Sequence, residues 1–192
     1  MEQLSNAELM ELVRNSDFVA FDELYNRYRE DVFKFLYSLT WDRDVAEDYV
    51  QEVFLRLYTA RNRYTPTAKF STYLFQIAKN YYLYQRRGQK AQTKDLSLSY
   101  KDCSGFCPFE NIRANERVEP EVQLMEEYRR LNIRRAIGML PEGQKLVFVM
   151  SHIRDMKYAE IAEILQIPEG TVKSRMFAAV NKLQSLLKER YK

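Results

Sequence analysis

The residues with the clearest chemical purpose stand near the C-terminus, in Gly170-Thr171-Val172-Lys173-Ser174-Arg175. Thr171, Lys173 and Ser174 are donors suited to phosphate oxygens, and the Arg175 guanidinium also suits the acceptor edge of guanine. Phe177, Asn181 and Lys182 continue the same helical face beyond them. Upstream, Pro168 disfavours helix at Ile167 and itself suits a first helical turn. A turn is therefore predicted between a helix over Tyr158–Leu165 and another from Gly170 to about Lys188. Tyr158, Ile161, Ala162 and Leu165 form the apolar face of the first. Val172, Met176, Ala179, Val180 and Leu183 form that of the second. In a helix-turn-helix the second helix enters the major groove. The same spacing also suits an ordinary helical hairpin in a core.

Other reactive groups are sparse. Cys103 and Cys107 stand four residues apart, and His152 is the single histidine. A zinc site or redox switch needs more than these three residues, since zinc ordinarily takes four nitrogen or sulfur ligands. Reduced, inert thiols are the plainer reading, with His152 a packing or surface residue. No phosphate loop, nucleophile elbow or metal-ligand cluster occurs, so neither a cofactor nor a catalytic activity is expected.

These residues must be carried by helices. Gly and Pro number five each, strand-like alternation is rare, and hydrophobic residues make up 46%, enough to bury a core. Apolar spacings of three and four predict helices over Asn6–Val13, Phe18–Ser38 and Asp44–Ala60. Asp44 is the expected cap of the third; Ser71 is expected to cap a fourth, ending at Gly88. Periodicity lapses over Gln89–Pro120 and returns at Glu121, with a break at Leu140-Pro141 and a further helix over Gly143–Ile153. The fold class is all-α: two small helical domains, residues 1–90 and 126–192, joined by a flexible linker over 91–125. No run approaches the roughly 20 apolar residues of a membrane span, and the N-terminus lacks the order of a signal peptide. A cytoplasmic protein without membrane insertion is expected.

Charge is unevenly distributed. Residues 128–192 hold 13 Lys/Arg against 6 Asp/Glu. Val53–Lys94 contains nine basic residues, nine aromatic rings and no acid. Just before it, Asp42, Asp44, Glu47, Asp48 and Glu52 surround the single Arg43. An acidic patch, a basic aromatic segment and a basic tail suit different partners along one chain. Aromatic faces stack unpaired bases while basic side chains follow phosphates. Phe70, Phe75 and Tyr81 or Tyr82 serve equally as core.

Two stretches carry a family resemblance. Tyr158-Ala159-Glu160-Ile161-Ala162 followed by Gly170-Thr171-Val172-Lys173-Ser174-Arg175 resembles region 4 of extracytoplasmic-function sigma factors, which also usually begins with a Leu-Pro, here Leu140-Pro141. Output domains of other transcription factors share much of that pattern. The N-terminal half separates them. Ala46-Glu47-Asp48-Tyr49-Val50-Gln51-Glu52-Val53-Phe54 resembles sigma region 2.2, and Phe70-Ser71-Thr72-Tyr73-Leu74-Phe75-Gln76-Ile77-Ala78-Lys79-Asn80 resembles regions 2.3 and 2.4.

The resemblance implies a transcription initiation factor. Its partners would be core RNA polymerase (beta-prime and beta subunits), duplex -35 DNA, single-stranded -10 DNA and an anti-sigma factor. It places Asp48, Gln51, Glu52 and Leu55 on the polymerase coiled coil; as a bare pattern, without the resemblance, the same face reads as a merely solvated acidic one. Asn62, Arg63, Tyr64 and Thr65, in the loop expected over 61–68, would capture a flipped -10 base, with Lys79, Asn80, Tyr84 and Arg87 exposed nearby. Thr171, Lys173, Ser174, Arg175, Phe177, Asn181 and Lys182 would read the -35 element. Two departures stand out. Tyr73 replaces a usual Trp, keeping the aromatic body. Ala178 and Val180 replace common arginines, which shifts DNA binding onto Lys173, Arg175 and Lys182. A ligand-sensing regulator would need a pocket and a dimer interface, neither of which the sequence shows. An adaptor that avoids DNA is opposed by the basic, acid-free segment.

Overall fold

In the computed structural model, which describes residues 4–66, 69–92 and 120–188, every regular element is helical. The first four are α1 (Asn6–Arg14), α2 (Phe18–Thr40), α3 (Arg43–Thr59) and α4 (Phe70–Gln92). The others are α5 (Pro120–Gly138), α6 (Glu142–Phe148), α7 (Tyr158–Leu165) and α8 (Glu169–Lys188). The chain divides into two helical units, built broadly on α1–α4 and on α5–α8. Cys103, Cys107 and the greater part of the expected linker lie outside the described residues.

Local chemistry accounts for the helix ends. Ser5 and Glu8 cap α1 reciprocally: the Glu8 amide donates to Ser5 Oγ at 3.3 Å, and the Ser5 amide donates to Glu8 Oε2 at 2.8 Å. Asp17 accepts from the amides of Val19 and Ala20 at the start of α2. For α3 the cap is Asp42 and not the expected Asp44. Asp42 has the extended backbone a cap requires and accepts from the Val45 amide at 3.1 Å. Asp44 lies inside the first turn, where its charge still favours the helix dipole.

The fourth helix also departs from expectation. It begins at Phe70, and it passes through Gly88 to Gln92. A glycine permits a left-handed stop but does not impose one, and Gln89, Lys90, Ala91 and Gln92 are good helix formers. A Cβ at Gly88 would meet nothing within 4 Å. Gly88→Ala is therefore expected to stabilise α4 by about 0.5–1 kcal/mol, seen as a higher urea midpoint for loss of helical circular dichroism.

The first core is aromatic. Tyr25 and Phe21 of α2 meet Phe54 of α3 edge-on at 4.8 and 6.3 Å. Phe35 of α2 meets Phe75 of α4 at 5.4 Å. Phe35, Leu36, Leu57 and Leu74 are fully buried, each contributing about 1.5–3 kcal/mol by leaving water. Of the ambiguous rings, Phe70, Phe75 and Tyr82 are core and Tyr81 is half-buried.

In the second unit α6 packs against α8 and continues into a single π turn over Val149–Ile153. The exposed His152 ring stacks on Phe148 at 4.7 Å. Gln166, in the left-handed conformation, makes the turn between α7 and α8. α7 buries Ile161 and Ile164, leaving Tyr158, Ala162 and Leu165 half-buried. α8 buries Val172, Met176, Ala179 and Leu183, close to the face predicted from its period.

Candidate functional site

Three surfaces gather the residues singled out by type and spacing. The first is the solvent face of α3. Asp44, Asp48, Gln51, Leu55 and Tyr58 recur at alternating spacings of four and three, which aligns them along one side of the helix. Asp48 and Gln51 are exposed, and Leu55 is 58% exposed. Glu52 is half-buried at the edge of this stripe, its Oε1 accepting from Arg56 Nε at 2.7 Å. The Arg56 guanidinium in turn lies 4.7 Å from the centre of the Tyr81 ring. The Glu52 carboxylate is therefore oriented and partly neutralised within the fold, which leaves Asp48 the freer charge.

The second surface is the loop between α3 and α4 with the outer side of α4. Arg61–Arg63 form one tight 3-10 turn. Arg61 donates from Nη1 to the Tyr58 carbonyl at 3.0 Å and lies 4.2 Å from the Tyr58 ring centre. Asn62, Arg63 and Thr65 are exposed. On α4, Asn80, Tyr84 and Arg87 stand exposed at spacings of four and three, with Tyr84 65% exposed.

Two residues expected at this surface are not exposed. Tyr64 is 5% exposed, its ring 5.2 Å from Tyr73 and 6.2 Å from Phe70. It is the anchor of the loop, and burial raises its phenol pKa. Lys79 is 7% exposed. Desolvation holds its ammonium below the usual lysine range.

Beside the loop is a cavity of about 430 Å³, lined by Asn6 of α1, Tyr28 of α2, and Tyr64, Pro66, Lys69 and Phe70. Asn6 Nδ2 donates to Tyr28 Oη at 2.6 Å. Burial raises the pKa of the Tyr28 phenol. Asn6 and Tyr28 had no signal in the sequence, because their neighbours in this site are some 20 to 60 positions away along the chain.

The third surface is the outer face of α8. Ser174, Phe177, Asn181 and Lys182 are exposed, Phe177 by 71%. A phenyl ring so exposed contributes little to the core. Ser174 Oγ donates back to the Thr171 carbonyl at 3.0 Å, and Thr171 is half-buried. Lys173 Nζ pairs with Glu169 Oε1 at 2.8 Å, and that carboxylate raises the ammonium pKa. Arg175 is half-buried with its guanidinium over Gly143, where an added Cβ would stand 3.2 Å from Nη1.

Among the described residues no helix is long and apolar enough to cross a membrane, and no group of three or more His, Cys, Asp or Glu is arranged to hold a metal ion.

Comparison with known proteins agrees with this arrangement. The family described as sigma-70 region 2 matches residues 24–92, and sigma-70, region 4 matches residues 130–183. The chain is 32% identical to the ECF RNA polymerase sigma-E factor of Escherichia coli K12, over 97% of this chain and 98% of that one. It is 29% identical to the ECF RNA polymerase sigma factor SigW of Bacillus subtilis, over 92% and 94%. Its fold is similar to that of the sigma factor RpoE of Bartonella quintana, solved in complex with the anti-sigma factor NepR. That match has a TM-score of 0.62 at 22% identity and covers 88% of this chain and 96% of the other.

Proposed function

The chain belongs to the extracytoplasmic-function sigma factors, which direct RNA polymerase to promoters, and from that premise we propose which surface performs each part of the task. Residues 1–90 dock on core polymerase and hold the -10 strand, residues 126–192 read the -35 duplex, and 91–125 link them. Sigma factors are initiation factors and not enzymes; by our reading this chain has no catalytic activity of its own and acts in the cytoplasm.

The observation that carries the reading is the exposed seam on α3. A leucine 58% exposed between carboxylate, amide and phenol groups suits a basic partner helix with apolar positions of its own. Leu55 supplies apolar contact, Gln51 hydrogen bonding, and Asp48 attraction for a basic side chain. Glu52, held by Arg56, contributes less charge than its type suggests. An anti-sigma factor that covers this face would block polymerase binding directly.

For the -10 strand we assign Asn62, Arg63 and Thr65 to the bases, and Asn80, Tyr84 and Arg87 to the strand that follows. Tyr84 is placed to stack a base and Arg87 to meet a phosphate. The cavity bounded by Tyr28, Tyr64 and Phe70 is the candidate receptacle for a flipped base, with aromatic walls and the Lys69 ammonium at hand for its phosphate. Tyr64 serves as a wall and anchor. Lys79 is too buried for a phosphate contact while that burial persists.

For the -35 duplex we assign Ser174, Phe177 and Asn181 to the bases, joined by Arg175 when its guanidinium swings off Gly143, and Thr171, Lys173 and Lys182 to the phosphates. Purified core polymerase is expected to transcribe from a cognate promoter only when this chain is added. A multi-promoter in vitro transcription assay checks it. Absence of stimulation, joined with tight duplex binding by the chain alone, would overturn the assignment.

A further inference from the structure

The loop assigned to the -10 strand is short and polar, and Asn62, Arg63 and Thr65 face solvent. Such a segment reads bases selectively only if its backbone is fixed, since ordering it on binding costs conformational entropy. Its first end is held by Arg61 on the Tyr58 carbonyl and ring. The buried Tyr64 ring anchors one side chain. A ring in a socket does not, however, fix the orientation of the peptide that follows it.

That peptide is held from α1. Arg14 Nη2 donates to the Tyr64 carbonyl at 2.6 Å, across 50 positions of sequence. The acceptor belongs to the peptide plane joining Tyr64 to Thr65, so the bond sets the direction in which Thr65 leaves. It is charge-assisted and correspondingly strong. The helix that carries Arg14 is itself firmly seated. Leu9, Met10 and Val13 are buried, Asn6 is bonded to Tyr28, and Arg27 Nη1 of α2 donates to the Leu4 carbonyl at 2.8 Å.

We propose that Arg14 is the positioning residue of the strand-reading loop, so that α1 sets -10 base selectivity without itself contacting the DNA. This rests on the assignment of Asn62, Arg63 and Thr65 to the -10 strand. The loss of one charge-assisted bond then appears as a loss of discrimination of about tenfold.

The test uses the full chain bound to core polymerase and a pool of single-stranded DNA randomised over the -10 element. The native chain enriches preferred bases. Arg14→Ala is expected to flatten that preference about tenfold at the loop-read positions, and Arg14→Lys, which keeps the charge but not the planar fork, about threefold. Affinity for -35 duplex and the salt dependence of strand binding stay unchanged.

Arg14→Ala with its preference intact, while Asn62→Ala and Thr65→Ala each flatten theirs, overturns the role of Arg14 alone. So does a salt slope lowered by about one with preference retained, the signature of a direct phosphate contact. If Asn62→Ala and Thr65→Ala also leave the preference intact, the loop assignment falls and the role of Arg14 with it. Should Arg14→Ala unfold the chain, Arg14→Lys decides: flattened preference at native helical content supports the role, and unchanged preference overturns it.

Discussion

Asp48→Arg combined with Leu55→Asp is expected to weaken binding to core polymerase by about 100-fold or more, while leaving -35 duplex affinity within about twofold. The first change places a cation where a basic partner helix expects an anion, and the second buries a carboxylate in the apolar centre of the contact. Together they should cost about 3 kcal/mol or more of association energy. Neither threatens the fold, because Asp48 is exposed and Leu55 is 58% exposed. Glu52→Lys is a less clean probe. It breaks the 2.7 Å bond to Arg56, which also lies over Tyr81, so part of its effect would be a rearranged α3–α4 contact. Fluorescence anisotropy of labelled chain titrated with core polymerase measures the loss. Equal losses of polymerase and duplex binding, with reduced helical content, would show misfolding instead.

On α8 the expected effects separate by residue type. Phe177→Ala and Arg175→Ala should each weaken specific -35 binding by about 1–3 kcal/mol and relax base preference at one or two positions. Phe177 is 71% exposed, so its removal should hardly change stability. Lys173→Ala should weaken binding to all sequences alike and lower the salt slope by about one. Its effect has two parts, because losing the ammonium also leaves the Glu169 carboxylate facing the phosphates. Holoenzyme binding to duplex promoter variants, measured at several salt concentrations, distinguishes the two kinds of loss. A uniform loss for Phe177→Ala would remove it from the base-reading set.

The exposed face of α8 was legible from the chain because one helix's period defines both sides at once. Burying Val172, Met176, Ala179 and Leu183 turns Ser174, Phe177 and Asn181 outward. The same reasoning exposed Asp48, Gln51 and Leu55 on α3. It worked less well for the acid-free segment. Nine aromatic rings in Val53–Lys94 satisfy both a core and a base-stacking strip, and composition does not distinguish a buried ring from an exposed one. Packing put Phe70, Phe75 and Tyr82 inside and left Tyr84 out.

The sequence by itself determined the all-helical class, most helix boundaries and the charge that suits each surface, since these follow from local spacing, caps and residue type. The tertiary structure decided what depends on distant neighbours. Tyr64 turned inward onto Phe70 and Tyr73, Lys79 lost its place at the surface, Glu52 was tied to Arg56, and Arg14 reached the Tyr64 carbonyl. A hydrogen bond between residues 50 positions apart has no periodic signature in the chain. It exists only once the hydrophobic faces of α1, α2 and α3 have packed and brought the two groups within reach.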